Sequence, residues 1–271
     1  MKTLRALAAL LSYPTADLVE AAPEIRNAID REAVLPVVQR AALGRLIDEL
    51  ASGDLYDLQE RYGLLFDRTR ALSLHLFEHV HGESRDRGQA MVDLLKLYEE
   101  GGYTPTPCEL PDFLPLFLEY ASILEPRAAI ELIGQPANVI AALRERLAKR
   151  SSSYEAVMSA LLALSRAKPD QAALAVLRAE PDPEPDDLEA LDAAWVEQEV
   201  RFGPGTNAND GCAIDGLAER LRAAQRSPEG VAPPLGRRRP AARHPAEGIA
   251  SPLDPQRAAV PPCHPGSGVA S

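Results

Sequence analysis

The sequence predicts an all-α protein: a single helical bundle of roughly nine or ten helices followed by a disordered carboxy-terminal tail. Three observations carry that reading. Apolar residues recur at helical spacing through most of the first 202 positions, and no comparable run alternates with period two. Ala and Leu dominate a chain of 271 residues that is 46% hydrophobic but only 5% aromatic, a balance that favours helices over strands. Gly and Pro clusters fall where helices should break, at Tyr13-Pro14, Gly53-Asp54, Gly82 to Ser84, Gly101-Gly102, Pro105 to Pro107, Gly134 to Pro136 and Lys168-Pro169.

The elements follow in order. Met1 to Arg5 and the apolar run Ala6 to Leu11 mimic a secretory signal, but the run is too short and has no small-residue cleavage site, so it reads as a first amphipathic helix. Leu55, Leu58, Tyr62, Leu65 and Phe66 form one stripe, and Met91, Leu94, Leu95 and Tyr98 another. Val139, Ile140, Leu143 and Leu147 make a third, and Val157, Leu161 and Leu164 a fourth. No motif repeats at a fixed period, which argues against a solenoid.

A helical domain is thus expected over residues 1–180. Alternating prolines from Pro181 to Asp186 make an extended acidic linker, and a separate helix with Leu188, Leu191, Trp195 and Phe202 follows within 181–226. Residues 227–271 hold ten prolines, five glycines and no aromatic, a composition that cannot offset its ordering entropy.

Charge narrows the partners. Lys plus Arg is 29 against 40 for Asp plus Glu, a net charge of −11 that would repel a nucleic-acid backbone. Residues 227–271 carry +2, so the folded part carries −13 and would attract a basic peptide or a basic protein face. Cys108, Cys212 and Cys263 are far apart and odd in number, which suggests neither disulfides nor a zinc knuckle and fits a reducing compartment. The longest uncharged stretch before the tail, Leu132 to Leu143, is twelve residues, short of a membrane span, so a cytoplasmic protein is expected.

Most catalytic signatures are missing: there is no G-x-x-x-x-G-K-S/T, G-x-G-x-x-G or G-x-S-x-G. Asn207 to Gly211 fails as a calcium loop, because Thr206, Ala208 and Leu217 fall where oxygen ligands belong. His75-Leu76-Phe77-Glu78-His79 does match the H-x-x-E-H zinc signature. On a helix His75 and His79 would share a face, with Glu78 activating a water and Glu145 or Glu155 as the candidate third ligand. The alternative places His79 and His81 in the last turn before Gly82, where the carbonyl end of the helix favours imidazolium. The structural alternative is preferred, because a five-residue pattern without wider context is weak.

From Gly82 to Gly88 the chain turns a corner, with Ser84 a candidate cap for the next helix. Glu83, Arg85, Asp86 and Arg87 are more charge than that geometry requires, beside imidazoles expected to be exposed. A solvated corner with local ion pairs or a polar contact surface would both account for them.

The string Leu76-Phe77-Glu78-His79-Val80-His81-Gly82-Glu83-Ser84-Arg85-Asp86-Arg87-Gly88-Gln89-Ala90-Met91 resembles the cytoplasmic assembly chaperones of respiratory nitrate reductase, the delta or J subunits, within the larger group of molybdoenzyme chaperones. Tyr62 to Phe66, Glu109-Leu110-Pro111-Asp112 with Leu114 to Leu116 and Leu118 to Tyr120, and Leu191 to Trp195 extend the likeness over roughly residues 1–202. The resemblance implies a chaperone, not an enzyme. It would bind the immature catalytic (alpha) subunit, as apo-enzyme with its beta subunit, through the alpha subunit's amino-terminal segment until molybdenum cofactor and an iron-sulfur cluster are inserted. No permanently bound cofactor, nucleic acid or membrane insertion is implied. The contact residues it suggests are Tyr62, Leu65, Phe66, Leu76, Phe77, Glu78, His79, His81, Glu83, Arg85, Asp86, Arg87, Glu109, Pro111 and Asp112.

Tyr62, Leu65 and Phe66 fit a core stripe as well as a groove floor. Phe113 replaces a histidine that relatives carry, so that histidine's role does not transfer. Asp112 is also a candidate cap for the helix running to Leu124.

Overall fold

A computed structural model of the chain describes residues 1–81, 86–105 and 109–183, together with Asp187 and Glu189. The expected helix from Leu188 to Phe202 and the expected disordered tail lie outside the described residues.

The described residues form α1 (Lys2–Leu10), α2 (Ala16–Glu20), α3 (Ala22–Glu32), α4 (Val37–Ser52) and α5 (Leu55–Phe66), then a 3-10 turn (Arg70–Leu72) and α6 (Glu78–His81). They continue as α7 (Asp86–Glu100), α8 (Leu114–Ile123), α9 (Pro126–Gly134), α10 (Ala137–Lys149), α11 (Glu155–Ser165) and α12 (Gln171–Ala179). The all-α expectation holds, with twelve α-helices among the described residues instead of roughly nine or ten. Several breaks carry no glycine signal: Ala21 separates α2 from α3, and Leu124 with Glu125 separates α8 from α9 ahead of Pro126.

Burial follows the apolar stripes. Leu58, Tyr62, Leu65 and Phe66 of α5 are buried, as are Val139, Ile140, Leu143 and Leu147 of α10 and Val157, Leu161 and Leu164 of α11. The first helix goes further than an amphipathic stripe, since Leu4, Leu7 and Leu10 are fully covered and Thr3, Ala6 and Ala8 are buried too. It packs on α8 and α3. Its amino end is stopped by Glu32, whose carboxylate accepts from Thr3 N–H at 2.6 Å and Lys2 N–H at 3.2 Å, two of the donors a helix start leaves orphaned. On the other side α10 and α11 pack together, α11 meets α4 and α9, and α10 carries both the 3-10 turn and α12. The segment that carries the candidate site lies between that turn and α6.

Candidate functional site

After the 3-10 turn the chain is neither helix nor sheet. Ser73 to Phe77 runs beside Asp112 to Leu114 in one antiparallel bridge, His75 to Phe113. Leu76 N–H donates to Asp112 O at 3.0 Å, and Leu114 N–H donates to Leu74 O at 2.9 Å. A short irregular segment in an interior must satisfy every backbone group by some means. Here side chains supply much of it.

Among the described residues the buried carboxylate, imidazole and guanidinium side chains are those of Asp112, His79 and Arg146, and all three hold this segment or the 3-10 turn that leads into it. Asp112, with no exposed surface, accepts Phe77 N–H at 3.0 Å on Oδ2 and meets His75 Nδ1 at 3.1 Å on Oδ1. His79 donates from Nε2 to Ser73 O at 2.8 Å. Arg146 donates from Nη1 to Ala71 O at 2.7 Å and from Nη2 to Leu177 O at 2.6 Å.

These contacts split the two histidines electrostatically. Burial works against charge on His75, but the Asp112 hydrogen bond and charge, helped by Glu78, outweigh it and raise the pKa above the ordinary histidine value. Burial lowers the pKa of His79, more than its Ser73 bond and the nearby Glu180 can restore. His79 is therefore a neutral structural donor. Burial also lifts the Tyr62 phenol, with the Asp67, Tyr154 and Glu109 charges adding to it, and keeps the Tyr98 hydroxyl protonated as it donates to Pro111 O at 2.6 Å.

Several expectations need correction. His75 and His79 do not share a helix face, because His75 sits in the bridge and α6 begins only at Glu78. Glu145 and Glu155 are committed elsewhere, to Arg178 and Ser159. Among the described residues no three His, Cys, Asp or Glu side chains gather as a metal site. His79 is neither exposed nor an imidazolium at a helix end, since burial forbids the charge. Asp112 does not cap α8: the cap position is Phe113, without a side-chain bond, and the Asp112 carboxylate turns inward to the His75 ring and the Phe77 N–H instead.

Of the other proposed contact residues, Tyr62, Leu65, Phe66, Leu76 and Phe77 are buried. Tyr62 donates to Leu11 O at 2.8 Å, and Phe66 lies 4.8 Å from the Tyr62 ring and 5.1 Å from that of Tyr154. Glu78 and Arg87 pair at 3.2 Å, each about a quarter exposed. The His81 ring meets Phe77 at 5.6 Å, Asp86 and Glu109 face solvent, and Pro111 is half-buried. Phe113 stacks obliquely on His75 at 5.3 Å. Glu83, Arg85 and the candidate cap Ser84 lie outside the described residues. Arg146 is not among the expected contact residues, and the one signal for it in the sequence is a guanidinium that interrupts the apolar stripe between Leu143 and Leu147.

Fold and site together define a helical protein whose buried polar groups shape a backbone segment. Residues 19–159 match the family of nitrate reductase delta subunits, and the chain belongs to that family. It is 42% identical over 213 residues to the nitrate reductase molybdenum cofactor assembly chaperone NarJ of Escherichia coli (strain K12), covering 79% of this chain and 88% of that protein. A probable chaperone of the same kind from that organism, NarW, is 40% identical over 204 residues, covering 74% and 84%. A probable NarJ of Bacillus subtilis (strain 168) is 32% identical over 161 residues, covering 59% and 86%.

Proposed function

We propose that this chain is an assembly chaperone for a nitrate reductase and not itself an enzyme. It binds the immature catalytic (alpha) subunit, with the beta subunit present, through the alpha subunit's amino-terminal segment. It holds that subunit open until molybdenum cofactor and an iron-sulfur cluster are inserted, and leaves before membrane assembly. The work is done in the cytoplasm; no described helix is long and apolar enough to cross a membrane. The observation that carries the reading is the 42% identity to an assembly chaperone across 79% of the chain.

The capture mode is an amphipathic helix laid between bundle helices. Burial of its apolar face supplies affinity, while ordering and association costs keep the complex reversible. The −13 charge of residues 1–226 speeds encounter with a basic segment. The contact face comprises Glu78, His81, Glu83, Arg85, Asp86, Arg87 and Glu109 with Pro111. Leu76, Phe77, Tyr62, Leu65 and Phe66 form the apolar floor, reached when α5 and the Ser73–His81 segment part. Asp112 and His79 hold that segment in shape.

The test is the molybdenum content of nitrate reductase purified from cells deprived of this polypeptide and of any sister copy. Apo-enzyme, restored to full metal by supplying the chain, is the expected result. A full complement of molybdenum without the chain overturns the proposal.

A further inference from the structure

His75 differs from its neighbours in the site by having a polar atom left over. Both oxygens of Asp112 are taken, His79 Nε2 is bonded to Ser73 O, and Glu78 is paired with Arg87. His75 places Nδ1 on Asp112, while Nε2 on the opposite edge of the ring has no partner among the described residues and is not a buried atom. The side chain is 27% exposed and the carboxylate that holds it is wholly buried, so the ring turns its free edge outward.

The ring is fixed from several sides. The His75 N–H donates to Ser73 Oγ at 3.2 Å, its carbonyl accepts the Glu78 N–H at 3.2 Å, and Phe113 lies against the imidazole at 5.3 Å. A donor held in this way loses little rotamer freedom when it binds. While the ring is charged, Nε2 carries a proton. Once the ring is neutral, the remaining proton stays on Nδ1 against Asp112 and Nε2 can only accept.

The surrounding charge selects what Nε2 can meet. Asp67 beyond the end of α5, Glu78 on α6 and Asp112 ahead of α8 act on His75, with Arg87 of α7 the cation opposing them. Glu109 adds to this acidic setting, since it and Asp67 both act on the Tyr62 phenol. A carboxylate brought to Nε2 is repelled by these groups. A backbone carbonyl is not, and the last turn of a helix leaves its carbonyls without intrahelical partners and carries partial negative charge.

We propose that His75 is the polar anchor of the groove between α5 and the Ser73–His81 segment, and that its Nε2–H donates to a backbone carbonyl at the carboxyl end of the helix docked there, with Asp112 as the positioning residue. The inference rests on the chaperone reading above and gives the docked helix a direction: its carboxyl end lies at His75, and its hold weakens as His75 loses its proton.

The experiment is calorimetric titration of the full chain with a synthetic, carboxy-amidated peptide of the catalytic subunit's amino-terminal segment, on both sides of the ordinary histidine value of about 6.5. The unmodified chain is expected to lose about ten-fold in affinity between the acid and alkaline ends, the worth of one hydrogen bond from a charged donor. A folded His75→Leu chain is expected to bind about ten-fold more weakly at the acid end and to lack that fall. In Asp112→Asn the fall is expected at lower pH, because the charge favouring imidazolium is gone. Nitrogen NMR of the unmodified chain provides a readout without a variant: by reciprocity, His75 should keep its proton to higher pH in the complex than in the free chain. A peptide with every side-chain carboxylate converted to its amide should show the same fall. An affinity independent of pH, a His75→Leu chain that binds as the unmodified one does, an unshifted fall in Asp112→Asn, a His75 titration equal in free and bound chain, or a fall abolished by the amide peptide overturns this inference and leaves the chaperone reading standing. A peptide that the unmodified chain binds at no pH overturns both.

Discussion

Asp112 Oδ1 lies 3.1 Å from His75 Nδ1 across 37 residues of chain, and the same carboxylate, wholly buried, takes the Phe77 N–H on its other oxygen. A carboxylate without solvent persists only if its lone pairs are satisfied. Here its partners are the two residues that flank Leu76.

Removing Asp112 should loosen that segment before it damages the bundle. Asp112→Ala leaves the Phe77 N–H buried without an acceptor and takes the ion-pair partner from His75. The expected loss is about 2 to 4 kcal/mol in urea unfolding, the range for orphaned buried groups and broken buried pairs. Asp112→Asn, whose amide oxygen keeps one acceptor, should lose less. An unchanged unfolding midpoint for the alanine variant would contradict the arrangement.

The two histidines predict opposite responses to pH. His75 has its pKa raised, so its stabilisation is complete below the unfolded value of about 6.5 and is lost as pH rises through the folded pKa. His79 has its pKa lowered, so its contribution is present above about 6.5 and erodes as pH falls towards the folded pKa. Proton-detected titration should therefore find His75 changing charge at higher pH than His79. In His75→Gln the acid side alone should remain, with stability rising as pH rises through the range near 6.5. The reverse order of titration would refute both assignments.

Legibility in the sequence follows the range of the interaction. Stripes on α5, α10 and α11 were readable because burial on a helix has a period, and Asp54 was readable as a helix start because its cap bonds reach only Tyr56 and Asp57. The end of α3 was not, because Ala33 adopts the left-handed conformation where glycine is the usual signal, and α11 stops at a left-handed Arg166 just ahead of the expected Lys168-Pro169 break. His75 and His79 have helical spacing by coincidence. What pulls His75 off a helix is a bridge to Phe113 and a carboxylate far along the chain, which no local pattern encodes.

Arg146 should be the hardest residue on α10 to replace. Arg146→Met fills much of the same volume but leaves the Ala71 and Leu177 carbonyls without their donor, at an expected cost of about 2 to 4 kcal/mol. Arg146→Lys should not recover the loss, since one ammonium on a flexible stem does not reproduce a planar fork aimed at two carbonyls. Thermal unfolding of the two variants decides this, and a lysine variant as stable as the original would show that charge alone suffices.

Phe66 tests whether the aromatic cluster behaves as core or as binding surface. It is 5% exposed, wedged between Tyr62 and Tyr154, so in the resting chain its ring contributes to stability first. Phe66→Ala should cost about 3 to 5 kcal/mol in urea unfolding, as for other buried aromatics cut to alanine. A groove floor that opens on binding adds a second consequence: Phe66→Leu, which keeps the site filled and the bundle folded, should still weaken the amino-terminal peptide by removing ring contacts. If Phe66→Leu leaves peptide affinity unchanged while Phe66→Ala destabilises as expected, Phe66 belongs to the core alone and the floor must be sought at Leu76 and Phe77.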